Sequence, residues 1–424
     1  MISEIQYCAR CLYPSTHPLG LTFDADGVCS GCRVHEEKDE LDWSSRFRRL
    51  EALVELYRSR SGQRYDCIVP VSGGRDSYFI VDVVVNRLGL NPLLVSYNRH
   101  YNSAIGHRNL AYLRTIFDCD YVQYTLSPVV AKALTHSTLE KLGSFHWQVL
   151  AGETVWPVRC AVQYRTPLII WGAHQGVDQV GMFSHLDEVE MSRWYRKNHD
   201  LMGLEAEDLV DEARGLPERD LLPLFYPDDR HLAAIGVRGI YLNNYIRWDS
   251  KAQHEDMIAR HGYETGDLDR TFDRYNDVHC VHYAGLHDQV KMAKHGYGKA
   301  RDHACRELRL KRLDRGSAQR LVQRYEHADA SDGQALFDWL EISESEFWNR
   351  IDRHRNPRVW QRRGKEWQRA GHPESPTIET VARVALDVIE PMDFSSGTPR
   401  SEDDEKYRLF ARGFVDSEYG EETV

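Results

Sequence analysis

The chain has 424 residues, more than one ordinary hydrophobic core organises, so two or three structural units are expected. Apolar residues make up 42% and charged residues 28%, the balance of a globular protein, and no run approaches the roughly 18 apolar residues of a membrane span. A net charge of −11 argues against a nucleic-acid-binding surface, which is normally basic. The first residues, MISEIQYCARC, carry no apolar signal stretch, and a cytoplasmic protein is expected.

In chain order, the first chemistry is that of sulfur. Four of the nine cysteines fall within the first 32 residues. Cys8-x-x-Cys11 and Cys29-x-x-Cys32 stand 17 residues apart, the two-knuckle spacing of a four-thiolate zinc site. A closed shell of four sulfurs leaves no position for a substrate, so the metal is expected to be structural. An iron–sulfur cluster is the alternative, and nothing else in the chain points to redox work.

From Tyr65 onward, short apolar runs alternate with helical patterns. Strands are expected at 65–71, 92–97, 120–126 and 167–172, and helices at 76–90, 106–117, 129–142 and 153–164. This alternation implies a doubly wound parallel α/β sheet with helices on both faces, in which ligands bind beyond the carboxyl ends of the strands. Ser72-Gly73-Gly74-Arg75-Asp76-Ser77 lies at such an end. Gly73 and Gly74 let the backbone curl closely around an anion, Ser72 and Ser77 add hydroxyls, and the following helix presents its positive end. Asp76 would repel phosphate unless a divalent cation stood between them, which points to a magnesium nucleotide. The turn is neither G-x-x-x-x-G-K-[ST] nor G-x-G-x-x-G.

The stretch resembles the PP-loop of the ATP pyrophosphatases (adenine nucleotide alpha hydrolase-like), with the fixed positions Ser72, Gly73, Gly74, Asp76 and Ser77 all present. The resemblance implies that ATP is cleaved between its α- and β-phosphates and that a substrate oxygen is adenylated. On the same likeness Ser72–Ser77, including Arg75, bind ATP, Asp76 holds magnesium, and Ser96, Tyr97 and Gly172 at other strand ends surround adenosine. Lys299 and Arg301, in GYGKARDH, are expected to join Asp76 and Ser77 as catalytic groups by offsetting charge at the α-phosphate.

A wider resemblance is carried by the knuckles with Leu41-Asp42-Trp43, and by the stretches YDCIVPVSGGRDS, NPLLVSY, PLIIWG, YIRWDSK, GYGKARDHACRELR and FWNRIDRHRNPRVW. Together they look like the N-acetyl sugar amidotransferase family of lipopolysaccharide O-antigen and nonulosonic acid biosynthesis. That likeness implies conversion of an acetamido sugar to an acetamidino sugar with ATP and ammonia. It also implies a glutaminase partner and a cyclase-like companion resembling the subunits of imidazole glycerol phosphate synthase. The one G-x-C-x-G, Gly27-Val28-Cys29-Ser30-Gly31, carries a knuckle cysteine, and Ile2 follows Met1, so no glutaminase nucleophile of its own is expected. His146 and Val149 stand where many family members have a Cys-Trp-x-Cys. The leftover Cys67, Cys119, Cys160, Cys280 and Cys305 form no Cys-x-x-Cys, which disfavours a tRNA-modifying thiolase. A nucleotide-binding scaffold without catalysis is the other alternative.

The expected organisation is a zinc module over 1–45, a PP-loop domain over 46–300 with an acidic insertion at about 175–249, and a mainly helical region over 301–424. The insertion either caps the site or binds the sugar. The basic run at 306–320 reads as one amphipathic helix, and the charged tail from Ser395 as loosely patterned and mobile in part.

Overall fold

The computed structural model describes residues 5–59, 64–364 and 366–369. The knuckles lead into α1 (Ser30–Glu40), which starts directly after Cys29, and then α2 (Trp43–Glu55). Asp42 caps α2 by accepting the Ser45 N–H at 3.0 Å. The α/β unit follows as β1 (Cys67–Pro70), α3 (Arg75–Asp82), β2 (Pro92–Tyr97), α4 (Ala104–Ile116), β3 (Tyr121–Tyr124), α5 (Pro128–Leu142), α6 (Trp147–Gln163) and β4 (Leu168–Trp171). Proline at the first turn of α5 and a left-handed Gly143 after its last define that helix.

Short helices come next, α7 (Gln175–Asp178), α8 (Arg193–Tyr195), α9 (Glu218–Leu221) and α10 (Asp229–Ile235), before β5 (Arg238–Tyr241). The remainder is α11 (Ser250–His261), α12 (Leu286–His295), α13 (Lys299–Arg309), α14 (Arg315–Glu326), α15 (Gly333–Leu340) and α16 (Glu344–Asp352), then a hairpin of β6 (Trp360–Arg363) and β7 (Glu366–Arg369). Among the described residues no helix is long and apolar enough to cross a membrane.

The five main strands are parallel in the order β3-β2-β1-β4-β5. Alternation along β1 shows why both faces carry helices. Cys67 and Val69 join the core containing α3 and Trp248, while Ile68 joins Leu93, Val95 and Ile169 against Val158 and Ala161 of α6. The doubly wound fold expected from the sequence is present, with β2 at its expected limits.

Four expectations need correction. The stretch 175–249 is not wholly an insertion, because its Arg238–Tyr241 supplies the fifth strand of the sheet. The run 306–320 is not one helix, because the Asp314 carboxylate accepts the Ser317 N–H at 2.9 Å and starts α14 afresh. A boundary after residue 300 falls inside α13, and the helical C-terminal region also carries a hairpin. Cys8, Cys11 and Tyr13 lie in the same core as Val69, Tyr78 and Cys305, so the cysteine module is not a separate unit. The tail from Ser395 lies outside the described residues.

The knuckles are clamped between α7 and α13. Ser30 Oγ donates to the Val180 carbonyl at 2.7 Å, and Arg309 Nη1 donates to the Gln179 carbonyl at 2.6 Å. Gly31 sits at the junction. A Cβ there would lie 2.4 Å from Arg309 Nη2 and 2.5 Å from the Gln179 oxygen, and a carbonyl cannot swing aside. Gly31→Ala is therefore expected to destabilise the protein by about 1–3 kcal/mol, as overpacked sites do. Thermal unfolding would read this directly, and an unchanged midpoint would mean that the knuckle is not clamped.

Candidate active site at the carboxyl end of the sheet

Strand order reverses between β1 and β4, and open α/β sheets bind ligands in the crevice beyond that point. The SGGRDS turn leaves β1 on one side of the crevice, and Gly172 and Ala173 leave β4 on the other. A Cβ built on Gly172 would lie 3.6 Å from Cβ of Asp76.

Within the turn, Gly73 takes φ +72°, and a side chain there would meet the Gly106 carbonyl at 2.5 Å, so only glycine fits. The two hydroxyls brace the turn itself. Ser77 Oγ accepts the Ser72 N–H at 3.0 Å, and Ser72 Oγ accepts the Gly74 N–H at 3.3 Å. The His279 ring covers Gly74, at 2.9 Å from where a Cβ would stand. Its segment is sewn to the loop after β2, with Ser103 N–H donating to the His279 carbonyl at 3.2 Å and Val281 N–H to Tyr101 at 2.8 Å. The turn consequently meets open space through Arg75 and Asp76 at the start of α3, where the first N–H groups have no intrahelical partner.

That space is a cavity of about 660 Å³, within the range of small-molecule sites. It is walled by Tyr13, His17, His35 and Lys38 beside the knuckles, by Arg75, Asp76, Ala173, Gln175, Asp178 and Gln179 at the sheet, by residues from Asn276 to Leu310 around α12 and α13, and by Lys141 to Ser144 after α5 together with His199, Asp200 and Met202. Asp76 Oδ1 is buried and accepts no hydrogen bond, with Arg75 Nε at 3.2 Å and His254 Nε2 at 3.8 Å. Burial raises the Asp76 carboxyl above its usual range, Arg75 opposes this, and the Asp178 and Asp277 carboxylates add to the rise. An orphaned, desolvated carboxylate oxygen fits a cation.

The neighbouring carboxylates have partners. Lys38 Nζ lies 2.5 Å from Asp178, Lys299 Nζ lies 3.0 Å from Asp277 and 3.6 Å from the Tyr283 ring centre, and Lys291 pairs with Asp302. Burial raises Asp178 and Asp277, but Lys38 and Lys299 outweigh it and leave both below the usual range, Asp277 at about 2. Burial opposes the charge of Lys299 as well, and Asp277 more than restores it. Arg306, also on the wall, donates to Asp273 at 2.7 Å.

The four cysteines Cys8, Cys11, Cys29 and Cys32 are buried, with all sulfurs within 4.8 Å of one another. Cys8 Sγ accepts the N–H groups of Arg10 and Cys11 at 3.4 Å and of Cys29 at 3.3 Å, as a thiolate in a metal knuckle does. Arg309 Nη2 approaches Cys29 Sγ at 3.6 Å, and Arg315 donates to the Cys8 carbonyl at 3.0 Å. This donor set can hold one tetrahedral zinc ion, with two guanidinium groups balancing thiolate charge.

Of the expected site residues, the structure brings together Arg75, Asp76 and Lys299, with Ser72, Gly73, Gly74 and Ser77 behind them and Gly172 alongside. Two expectations fail on position. Arg301 forks onto Glu326 at 3.0 and 2.9 Å and donates to the Leu12 carbonyl, so it ties α13 to α14 and the knuckle and does not line the cavity. Ser96 and Tyr97 are buried. The Tyr97 hydroxyl donates to Gln148 at 2.8 Å and its ring packs in the core with Trp147, away from the cavity lining. The sequence reading missed His17, Lys38, Asp178, Asp277, His303 and Arg306, although the density of His and Asp in DRYNDVHCVHYAGLH was a usable signal. No cysteine lines the cavity, and burial pushes Cys119 up to about 11 and Cys160 to about 12, which makes them poor nucleophiles. His146 is buried with its ring stacked on Tyr101, and Val149 packs near Phe145 and Cys280.

Residues 269–372 match the family model of the LPS biosynthesis protein WbpG-like C-terminal domain. The matched stretch contributes Asp277, Lys299, Asp302, His303 and Arg306 to the cavity wall. No curated protein matches the chain. Among solved structures, an NMN synthetase from Francisella tularensis is similar over 51% of this chain and 94% of its own, with 12% identity and a TM-score of 0.26.

Because Tyr13 and His17 stand on the cavity wall, metal loss should reach the site. Elemental analysis is expected to find one zinc per chain, and Cys8→Ser to lower both the thermal midpoint and nucleotide affinity. Iron in place of zinc, or full nucleotide affinity in a metal-free chain, would contradict this.

Proposed function

We propose that the protein is an ATP-dependent amidotransferase of bacterial surface polysaccharide synthesis. It adenylates the acetamido oxygen of an N-acetylated, nucleotide-activated sugar, and ammonia then replaces that oxygen to give an acetamidino sugar, AMP and pyrophosphate. The SGGRDS turn and the stretch matching an LPS biosynthesis domain face each other across one cavity, and this juxtaposition supports the reading.

The β- and γ-phosphates of ATP meet the positive end of α3 and the guanidinium of Arg75, which leaves the α-phosphate toward the cavity. Asp76, with its unpartnered oxygen, would hold magnesium, which supplies countercharge for the pyrophosphate. Lys299 and Arg306 offset charge that develops as the acetamido oxygen bonds to the α-phosphorus. Asp277 and Asp273 hold these two cations in place before substrate arrives, so no reorganisation is needed at the moment of reaction. Formation of the adenylate makes AMP the leaving group, and the Cys-poor cavity suits a nitrogen nucleophile better than a sulfur one. Ammonia is supplied by a glutaminase partner, with a cyclase-like companion. ATP as substrate requires a cytoplasmic setting.

Three outcomes test the reading. ATP and an N-acetyl sugar nucleotide should give AMP and pyrophosphate, and ADP with inorganic phosphate would exclude the assignment. Asp76→Ala should cut turnover by at least about a hundredfold, whereas Arg75→Lys should be tolerated, because the approach to Asp76 is a single Nε···Oδ1 contact. Glutamine alone should support no reaction with the purified chain, and ammonium at alkaline pH should support it. Transfer of label from amide-labelled glutamine without a partner would reveal a glutaminase site in this chain.

A further inference from the structure

Four of the five carboxylates that line the cavity face a cation, and Asp200 is the exception. Among the described residues its carboxylate has no ion-pair or hydrogen-bond partner. It ends a π-helical turn, Arg196–Asp200, closed by the Leu201 N–H to the Arg196 carbonyl at 2.9 Å, and such turns recur at functional sites because the extra residue re-aims side chains. The cation whose charge reaches it, Arg196, is committed elsewhere. Arg196 is paired with Glu205 and donates to Thr154 Oγ1 at 2.9 Å.

Tyr195 and Tyr241 stand close enough for the Asp200 charge to add to burial in raising their hydroxyls, and their rings pack on histidines. Tyr195 lies 4.2 Å from His174 and 4.6 Å from His199, and Tyr241 lies 4.7 Å from His174, between ring centres. Burial holds His174 down at about 4 and lowers His199, so neither supplies positive charge at neutral pH. His199 lines the cavity and its Nε2 is buried without a partner. An unpaired carboxylate beside an idle imidazole nitrogen on the cavity wall suits a small cation with several N–H donors.

We propose that Asp200 receives the nitrogen nucleophile as ammonium and removes its proton. This rests on the amidotransferase reading. Ammonium passes one proton to the Asp200 carboxylate. The lone pair of ammonia forms the C–N bond at the adenylated carbon, the C–O bond breaks with its electrons leaving on AMP, and the surplus proton on nitrogen goes to water. Burial pushes the Asp200 carboxyl up to about 7, with Arg196 opposing, so it accepts this proton more readily than an ordinary carboxylate.

A carboxyl raised to about 7 in the folded state costs stability as pH climbs from the ordinary carboxylate range to that value, and the cost is complete above it, so Asp200→Asn is expected to fold and to melt no lower than wild type above about pH 8. At that pH, ammonium chloride should raise the wild-type melting midpoint above its value in tetramethylammonium chloride of equal ionic strength. The increment should vanish in Asp200→Asn and persist in Asp200→Glu. No increment in wild type, or the same increment in Asp200→Asn, overturns the proposal whatever reaction the enzyme runs. In turnover, Asp200→Asn should raise the KM for ammonium about tenfold or more, with hydroxylamine, which is uncharged at neutral pH, restoring the rate. An unchanged KM overturns the proposal as well. An ammonium increment in a wild-type protein that makes no AMP from any N-acetyl sugar would sink the amidotransferase reading and leave Asp200 as an ammonium site.

Discussion

The cavity is shaped by ion pairs that match most of the carboxylates facing it to a cation. Lys38 reaches from α1 to Asp178 of α7 and also donates to the Trp248 carbonyl at 3.1 Å. Lys299 of α13 holds Asp277 in the segment that roofs the SGGRDS turn, and Tyr13 beside the knuckle donates to Asp302 at 2.9 Å. Charges this buried are tolerated only when paired, and removing one partner strands the other. The pairs therefore decide where the walls meet, and the walls decide the shape of the site.

The cysteine module is part of the protein's interior. A four-thiolate metal site is closed to substrate and does no chemistry itself. It fixes the loop that carries Tyr13 and His17, and it meets the helical region through Arg309 and Arg315 and the Leu12 N–H, which approaches Cys305 Sγ at 3.3 Å. A helix of the region matched to the LPS biosynthesis domain thus contacts both the metal ligands and, through Lys299 and Arg306, the cavity. The N-terminus and the site are therefore joined by direct packing.

What could be read from the sequence was local. The strand at 92–97, the glycine turn and the cysteine knuckles are each written in a short stretch whose chemistry admits few alternatives. What could not be read depended on distant partners. β5 is only four residues long, and nothing within RGIY marks it as a strand before Leu168–Trp171 is there to pair with it. Arg301 and Lys299 look equivalent on paper, two residues apart on one helix. They separate only because Glu326 of α14 captures one and Asp277 the other. Tyr97 ends a strand near the site, yet Gly152 leaves room for its ring in the core, where a Cβ would come within 2.4 Å of it. The second wall, from Asp273 to Arg306, is invisible without the fold because it lies some 200 residues from the turn it covers.

The central claim is that the acetamido oxygen attacks the α-phosphorus. The most direct measurement starts from a sugar nucleotide carrying a heavy oxygen isotope in its N-acetyl group, incubated with the protein, ATP, magnesium and ammonium. Mass spectrometry of the nucleotide product should find the heavy oxygen in the phosphate of AMP and none in pyrophosphate. Unlabelled AMP, or label retained in the sugar, would contradict the account.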